Sequence, residues 1–205
     1  MRRFLRETLQ TLVLAGIVFL LLQSTLQNFR VEGSSMEPTL KHGEYLVVNK
    51  ARYLRIPIGR LFGWLPFVPL SPQAVWEPFR GPRPGDVVVF HYPRDPQRDF
   101  VKRVVAGPGD KVEIRSGIVF VNDRPLHEPY IKNPGTFTMN PLYLRADEYF
   151  VLGDNRPLSN DSRSWGPLHR RYIIGKAWIT YWPLSRIGLI SVLVPRGVST
   201  RFHPS

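Results

Sequence analysis

The chain has 205 residues, a net charge of +12 and 43% hydrophobic residues, enough apolar material for one compact domain plus an anchor. The absence of cysteine excludes disulfides, a thiolate nucleophile and cysteine-based metal sites. The positive charge suits an anionic membrane surface as well as nucleic acid, but the basic residues are scattered and no nucleic-acid-binding motif accompanies them, so no nucleic-acid partner is expected.

Residues 1–7 are short and basic. From Thr8 to Phe29 there are 22 residues without a charge, densest over Leu12–Leu22. A helix of that length rises roughly 33 Å, enough to cross the hydrocarbon layer, so 8–29 is expected as a transmembrane anchor. A cleavable signal peptide is the competing reading. Against it, Gln23–Phe29 offers no Ala-x-Ala site. Arg2, Arg3 and Arg6 precede the segment and only Arg30 follows closely. The positive-inside rule therefore puts residues 1–7 in the cytoplasm and the main domain outside, a single-pass arrangement at the plasma membrane.

Val31-Glu32-Gly33-Ser34-Ser35-Met36-Glu37-Pro38-Thr39-Leu40 follows, polar and rich in small residues, with Pro38 blocking a helical continuation. Taken alone, Ser35 reads as a solvated loop serine held near the bilayer. Glu44–Asn49 reads as a strand. Residues 51–84 form an insertion with Leu54, Ile56, Phe62, Trp64, Phe67, Trp76 and Phe79 broken by prolines 57, 66, 69, 72, 78, 82 and 84, which exclude a long regular helix. Two readings fit it equally: an aromatic loop that dips into the membrane or borders substrate, and a loop packed over the core.

Further strands are expected at Asp86–His91, Phe100–Val105, Lys111–Arg115, Ile118–Val121, Glu148–Leu152 and Ile173–Trp182, with Ser116-Gly117 as a hairpin turn. Nothing after residue 30 sustains helical periodicity. The expected fold is mainly β: a coiled, barrel-like antiparallel domain over 30–190, one N-terminal transmembrane helix, and a loose tail over 191–205.

A serine hydroxyl is a poor nucleophile until a base takes its proton. His42, His91, His127, His169 and His203 lie in unrelated contexts, with no HExxH spacing and no Gly-x-Ser-x-Gly elbow, and read as surface or loop residues. No metal or cofactor is expected. Lys102 is the better candidate base. It interrupts an apolar strand, and alternation puts it on the face of Val104, opposite Val101 and Arg103. An inward lysine loses hydration and its pKa falls, so a neutral amine becomes available to accept a proton. From that strand alone, an edge lysine that discourages aggregation is the favoured reading.

Three stretches together carry a resemblance: the Ser35-Met36 loop, Phe100-Val101-Lys102-Arg103 through Gly107-Pro108-Gly109-Asp110, and Gly153-Asp154-Asn155 through Ser159-Asn160-Asp161-Ser162-Arg163-Ser164-Trp165-Gly166. They resemble type I signal peptidases, membrane serine proteases that remove signal peptides from exported proteins. The likeness runs from the anchor to about Gly188, apart from the insertion. It implies Ser35 as nucleophile and Lys102 as general base. It implies Ser159 as a hydrogen-bonding partner orienting the Lys102 amine, Asp161 and Arg163 as a supporting ion pair, and Asp154 with Asn155 shaping the nearby turn. Val31 and Val101 would line shallow pockets for alanine-like side chains, so that preproteins with Ala-x-Ala-like signal peptides are the implied partners, beside membrane lipid. One position departs from part of the family. Gly33 stands where some members have a serine that helps bind the oxyanion, which leaves the Ser35 backbone N–H and an unassigned second donor. Two other readings stay open at this point: a self-cleaving repressor-type Ser/Lys protease, disfavoured by the anchor, and a basic membrane-tethered binding module without catalysis.

Overall fold

The computed structural model describes residues 2–63, 71, 74–78 and 81–190. Trp64, Phe67, Phe79, prolines 66, 69 and 72, and the tail over 191–205 lie outside the described residues. The chain begins with helix α1 (Arg2–Thr25). Its stretch Arg6–Thr25 is long and apolar enough to cross a membrane, and its large apolar side chains, among those described, are exposed. A helix apolar all round with no protein partner has the properties of a span. The uncharged stretch is not helical to Phe29. It changes to an extended strand at Leu26, because Leu26–Arg30 finds backbone partners in Tyr45–Asn49.

Among the described residues twelve strands follow: β1 (Leu26–Arg30), β2 (Tyr45–Asn49), β3 (Val87–Tyr92), β4 (Asp95–Ala106), β5 (Lys111–Arg115), β6 (Ile118–Val121), β7 (Arg124–Pro125), β8 (Met139–Tyr143), β9 (Glu148–Leu152), β10 (Leu168–His169), β11 (Ile173–Trp182) and β12 (Gly188–Leu189), with short helices α2 (Ile58–Phe62) and α3 (Ser162–Trp165). All pairings are antiparallel. The larger sheet has eight strands in the order β1-β2-β11-β3-β4-β9-β10, with β12 on β11, and the smaller has four in the order β7-β6-β5-β8. The protein is therefore mainly β with one N-terminal apolar helix. Neither sheet closes on itself among the described residues.

Local chemistry accounts for the turns. Ser116 and Gly117 between β5 and β6 both take positive φ (47° and 84°), as do Asn122 and Asp123 between β6 and β7 (52° and 66°), the twist that a two-residue hairpin needs. Gly117 is required a second way, since a Cβ there would lie 2.1 Å from the Gly135 carbonyl oxygen. In β3 the apolar residues do not alternate with polar ones because both faces are covered. Val87 and Val89 join a core with Val31, Met36, Leu40 and Leu46, while Val88 and Phe90 join one with Tyr53, Val104 and Leu168. A third core, around Val105, Val112, Val119 and Phe150, lies between the two sheets. The base of the insertion is fixed by Tyr53, whose buried hydroxyl donates to Asp86 at 2.8 Å. Burial and this carboxylate push the Tyr53 phenol well above its ordinary pKa.

Candidate functional site

The Ser35 loop is held from below by Met36 and Leu40, both fully buried in the core of β2 and β3. The Leu40 N–H closes a turn on the Met36 carbonyl at 2.9 Å. Ser35 is thereby displayed at the top of a tight turn rather than on a mobile loop.

Lys102 comes to it from β4. In the β3–β4 register it faces Val88, and Phe100 and Val104 on its own side of the strand pack in the core around Val88. Its side chain is 4% exposed and its Nζ lies 2.8 Å from Ser35 Oγ. The amine also donates to the Val101 carbonyl at 2.8 Å and sits 5.3 Å from the centre of the Phe100 ring. Burial pulls its pKa from 10.5 down to about 8, against the opposing pull of Asp161 and Asp154. A hydroxyl in contact with a desolvated amine that titrates near neutrality is the arrangement proton abstraction requires.

The next residue, Arg103, ties the two loops together. Its fully buried guanidinium grips Asp154 with Nε at 2.9 Å and Nη2 at 2.7 Å, donates to the Gly85 carbonyl at 3.0 Å, and stacks 4.1 Å from the Tyr130 ring. Asp154 in turn accepts from the Thr39 hydroxyl. Asn155 reaches the same loop, its backbone N–H donating to the Ser35 carbonyl at 3.0 Å and its side chain to the Ser34 carbonyl at 3.1 Å. Lys102 and Arg103 thus hold the serine loop from two directions, one by its hydroxyl and one through Asp154. Sequence reasoning gave Asp154 a turn-shaping part and missed Arg103 as its partner. An arginine inside an apolar strand was the available signal.

Asp161 and Arg163 pair at 2.8 Å, with Asp161 fully buried and also accepting the Gly153 N–H at 3.0 Å. Arg163 further donates to the Arg156 carbonyl at 2.6 Å, so the pair staples the loop over 153–163. A second pair that sequence reasoning missed, Glu128–Arg156, is buried beside it, and Tyr130 donates to the same carboxylate at 2.6 Å. Ser159 does not make the expected bond to Lys102. Its hydroxyl is buried without a partner, and the amine is directed to Ser35 and to the Val101 carbonyl. Ser159 Oγ instead lies against Gly153, where a Cβ would come within 2.2 Å of it and 2.5 Å of the Ser35 carbonyl oxygen. Gly153 is therefore the residue that lets the two loops touch.

A cleft of about 500 Å³ runs past the pair, with Phe29 and Val31 on one wall, Phe100 and Val101 on the other, and Leu46 and Val89 beneath. Val31 and Val101 both pack on the β2–β3 core, so the structure brings these two valines to one site. The cleft is bordered by two strand edges. Among the described residues β1 pairs only with β2, and β4 pairs only with β3 until Arg103 meets Leu152 of β9. Of the glycine amides near Ser35, that of Gly33 is occupied by His42 Nδ1 at 3.1 Å. Among the described residues no group of three or more His, Asp or Glu side chains is arranged to hold a metal ion.

Residues 4–182 match the family model described as signal peptidase, peptidase S26. A probable signal peptidase I-1 of Synechocystis is 34% identical over 194 residues, covering 91% of this chain and 87% of that protein. Signal peptidase I of Leptolyngbya laminosa is 33% identical over 192 residues, covering 90% and 83%. A signal peptidase I structure from Enterococcus faecalis aligns at 29% identity over 47% of this chain and 97% of that one, with a TM-score of 0.42. The chain therefore belongs to the signal peptidase family, peptidase S26, and is a serine endopeptidase of the signal peptidase I type.

Proposed function

We propose that this protein is a membrane-anchored endopeptidase that removes N-terminal signal peptides from exported preproteins, with Ser35 as nucleophile and Lys102 as general base. The observation that carries this reading is the 2.8 Å approach of a buried lysine amine to a serine hydroxyl beside an open cleft. In its neutral form Lys102 accepts the Ser35 proton as Oγ attacks the scissile carbonyl, and it returns a proton to the leaving amine. A water molecule, deprotonated by the same amine, then releases the signal peptide from the acyl-enzyme.

Support for the substrate comes from the shape of the cleft. An extended peptide laid between the free edges of β1 and β4 gains backbone hydrogen bonds along both. Side chains pointing down would meet Val31 and Val101, which pack on the β2–β3 core, and on this reading the two valines limit those positions to alanine-like groups. The oxyanion falls to the Ser35 backbone N–H, since the Gly33 amide is already bonded to His42. Asp154 through Arg103, and Asp161 with Arg163, keep the two loops in register; Ser159 fills the contact between them. α1 spans the bilayer with the N-terminus in the cytoplasm, and the cleft then lies outside, where signal peptides emerge.

The test is cleavage of a preprotein carrying Ala-x-Ala by the purified full chain in detergent, with the cut mapped by mass spectrometry. A single cut after the second alanine supports the reading. No cleavage, or cuts scattered through the mature region, would remove it.

A further inference from the structure

The insertion leaves the larger sheet where the apolar helix enters it. Lys50, the residue after β2, donates its N–H to the carbonyl of Thr25, the last residue of α1, at 2.8 Å. Residues 51 onward therefore start at the same level as the end of the helix. The described parts of the insertion form two arms. Ile56 and Trp76 exchange backbone hydrogen bonds of 2.9 and 2.8 Å, and the Gly59 N–H meets the Ala74 carbonyl at 2.9 Å.

The polar side chains of these arms turn toward the body of the protein. Arg55 pairs with Glu77 at 2.7 Å and with Asp147 at 3.3 Å, and Glu77 also receives Arg170 at 2.9 Å. Asp147 and Arg170 belong to the connections flanking β9 and β10, so this network clamps the arms to the catalytic domain. Tyr53 is buried and Ile56 and Ile58 are half-buried, but four large apolar side chains are left exposed. Leu54, Phe62, Val75 and Trp76 are 42–54% exposed, although the arms that carry them are fixed. Large apolar groups exposed together on a clamped element need a partner.

From this juxtaposition we propose that the insertion is a second membrane-contacting element, whose Leu54, Phe62, Val75 and Trp76 enter the interfacial layer of the same bilayer that α1 crosses. The proposal rests on the reading of α1 as a span. Three things select lipid as the occupant. The first is continuity with the helix exit through the Lys50–Thr25 bond. The second is Trp76, of the residue type that favours the headgroup boundary. The third is charge: Lys50 and Arg52 stand at the level of the helix end, in a chain of net charge +12, and complement anionic headgroups. Two attachments, at Thr25 and at the insertion, then fix the tilt of the sheet over the bilayer, where a single helix would leave the domain free to rock. The cleft wall at Phe29–Val31 begins roughly 13 Å along β1 from the helix end. A domain fixed at that height meets a signal peptide as it leaves the hydrocarbon layer.

The lack of cysteine makes the test direct. Leu54→Cys, Phe62→Cys, Trp76→Cys, Leu14→Cys in α1 and Tyr143→Cys in β8 are made singly in the full chain and labelled with a nitroxide. Each variant is reconstituted in bilayers of phosphatidylcholine and phosphatidylglycerol, and collision with oxygen is compared with collision with a water-soluble nickel chelate. The expected result is a several-fold higher oxygen-to-nickel ratio at positions 62 and 76 than at 143, approaching that at 14. Ratios at 62 and 76 equal to that at 143, with 14 in lipid, overturn this inference and leave the anchor intact. A water-exposed label at 14 overturns the anchor and the inference with it. Shielding of 62 and 76 only after a preprotein is added, in a Ser35→Ala background, assigns the surface to substrate and also overturns it.

Discussion

Replacing Lys102 by Met should alter the pH dependence of stability by an amount set by the burial of its amine. The fold holds the Lys102 pKa at about 8 against an ordinary 10.5. That gap corresponds to about 3 kcal/mol by which the folded state disfavours the ammonium. Between pH 8 and pH 10.5 the unfolded chain keeps a proton on this lysine that the folded chain has released, so wild-type stability rises with pH across that window. Below pH 8 both states are protonated and the full cost is present; above pH 10.5 both are neutral and it is gone. Methionine binds no proton. The stability of Lys102→Met relative to wild type should therefore be greatest below pH 8 and fall by about 3 kcal/mol by pH 10.5. Denaturant midpoints of both proteins in the same detergent, from pH 6 to 11, give the difference while the other titrations cancel. The same proton governs catalysis: the single-turnover rate of wild type should climb tenfold per pH unit below about 8 and level off above it. A stability difference constant from pH 7 to 11, or activity that peaks in acid and falls above neutrality, would refute a buried lysine acting as neutral base.

Three other substitutions follow from the packing of the two loops. Gly153→Ala places a methyl 2.2 Å from Ser159 Oγ and 2.5 Å from the Ser35 carbonyl oxygen, so the serine must shift and kcat should fall about 100-fold; near-normal turnover would contradict that contact. Arg103→Met leaves Asp154 buried and uncompensated and should cost ~3–5 kcal/mol by denaturant midpoint, with Asp154→Asn in the same chain recovering part of it; an unchanged midpoint would show the pair to be ornamental. Ser159→Ala removes a hydroxyl without a partner, so stability should change by less than about 1 kcal/mol and kcat by less than about tenfold. A larger loss in kcat at unchanged KM would mean that Lys102 moves from the Val101 carbonyl to Ser159 when substrate binds.

Much of the fold was legible because burial follows residue period. β5, β6, β9 and β11 begin and end where apolar patterning put them, each with at least one face on a core. β1 was hidden because Leu26–Phe29 continues the uncharged run of the helix, and only the partner strand Tyr45–Asn49 decides that it is extended. β8 carries Pro141, and the start of β4 over Asp95–Asp99 is polar; both are held by pairing rather than by burial, which a local pattern does not reveal. The site divides in the same way. Lys102 stood out as a cation in an apolar strand. The Arg103–Asp154 and Arg156–Glu128 pairs join residues distant in sequence; Arg103 stood out in its apolar strand, but nothing local names the partner of either arginine. The Ser159–Lys102 bond came from resemblance, and the amine is directed to Ser35 and the Val101 carbonyl instead.

The central claim is that Ser35 and Lys102 act as one unit, and a double-mutant cycle tests it most directly. Single-turnover cleavage of an Ala-x-Ala preprotein is measured for wild type, Ser35→Ala, Lys102→Met and the double variant, each inserted in detergent with its folding checked by denaturant midpoint. A nucleophile and its only base contribute nothing separately, so each single change should abolish cleavage and the double variant should be no worse than either. Near-normal turnover in Lys102→Met, or losses that multiply in the double variant, would contradict the account.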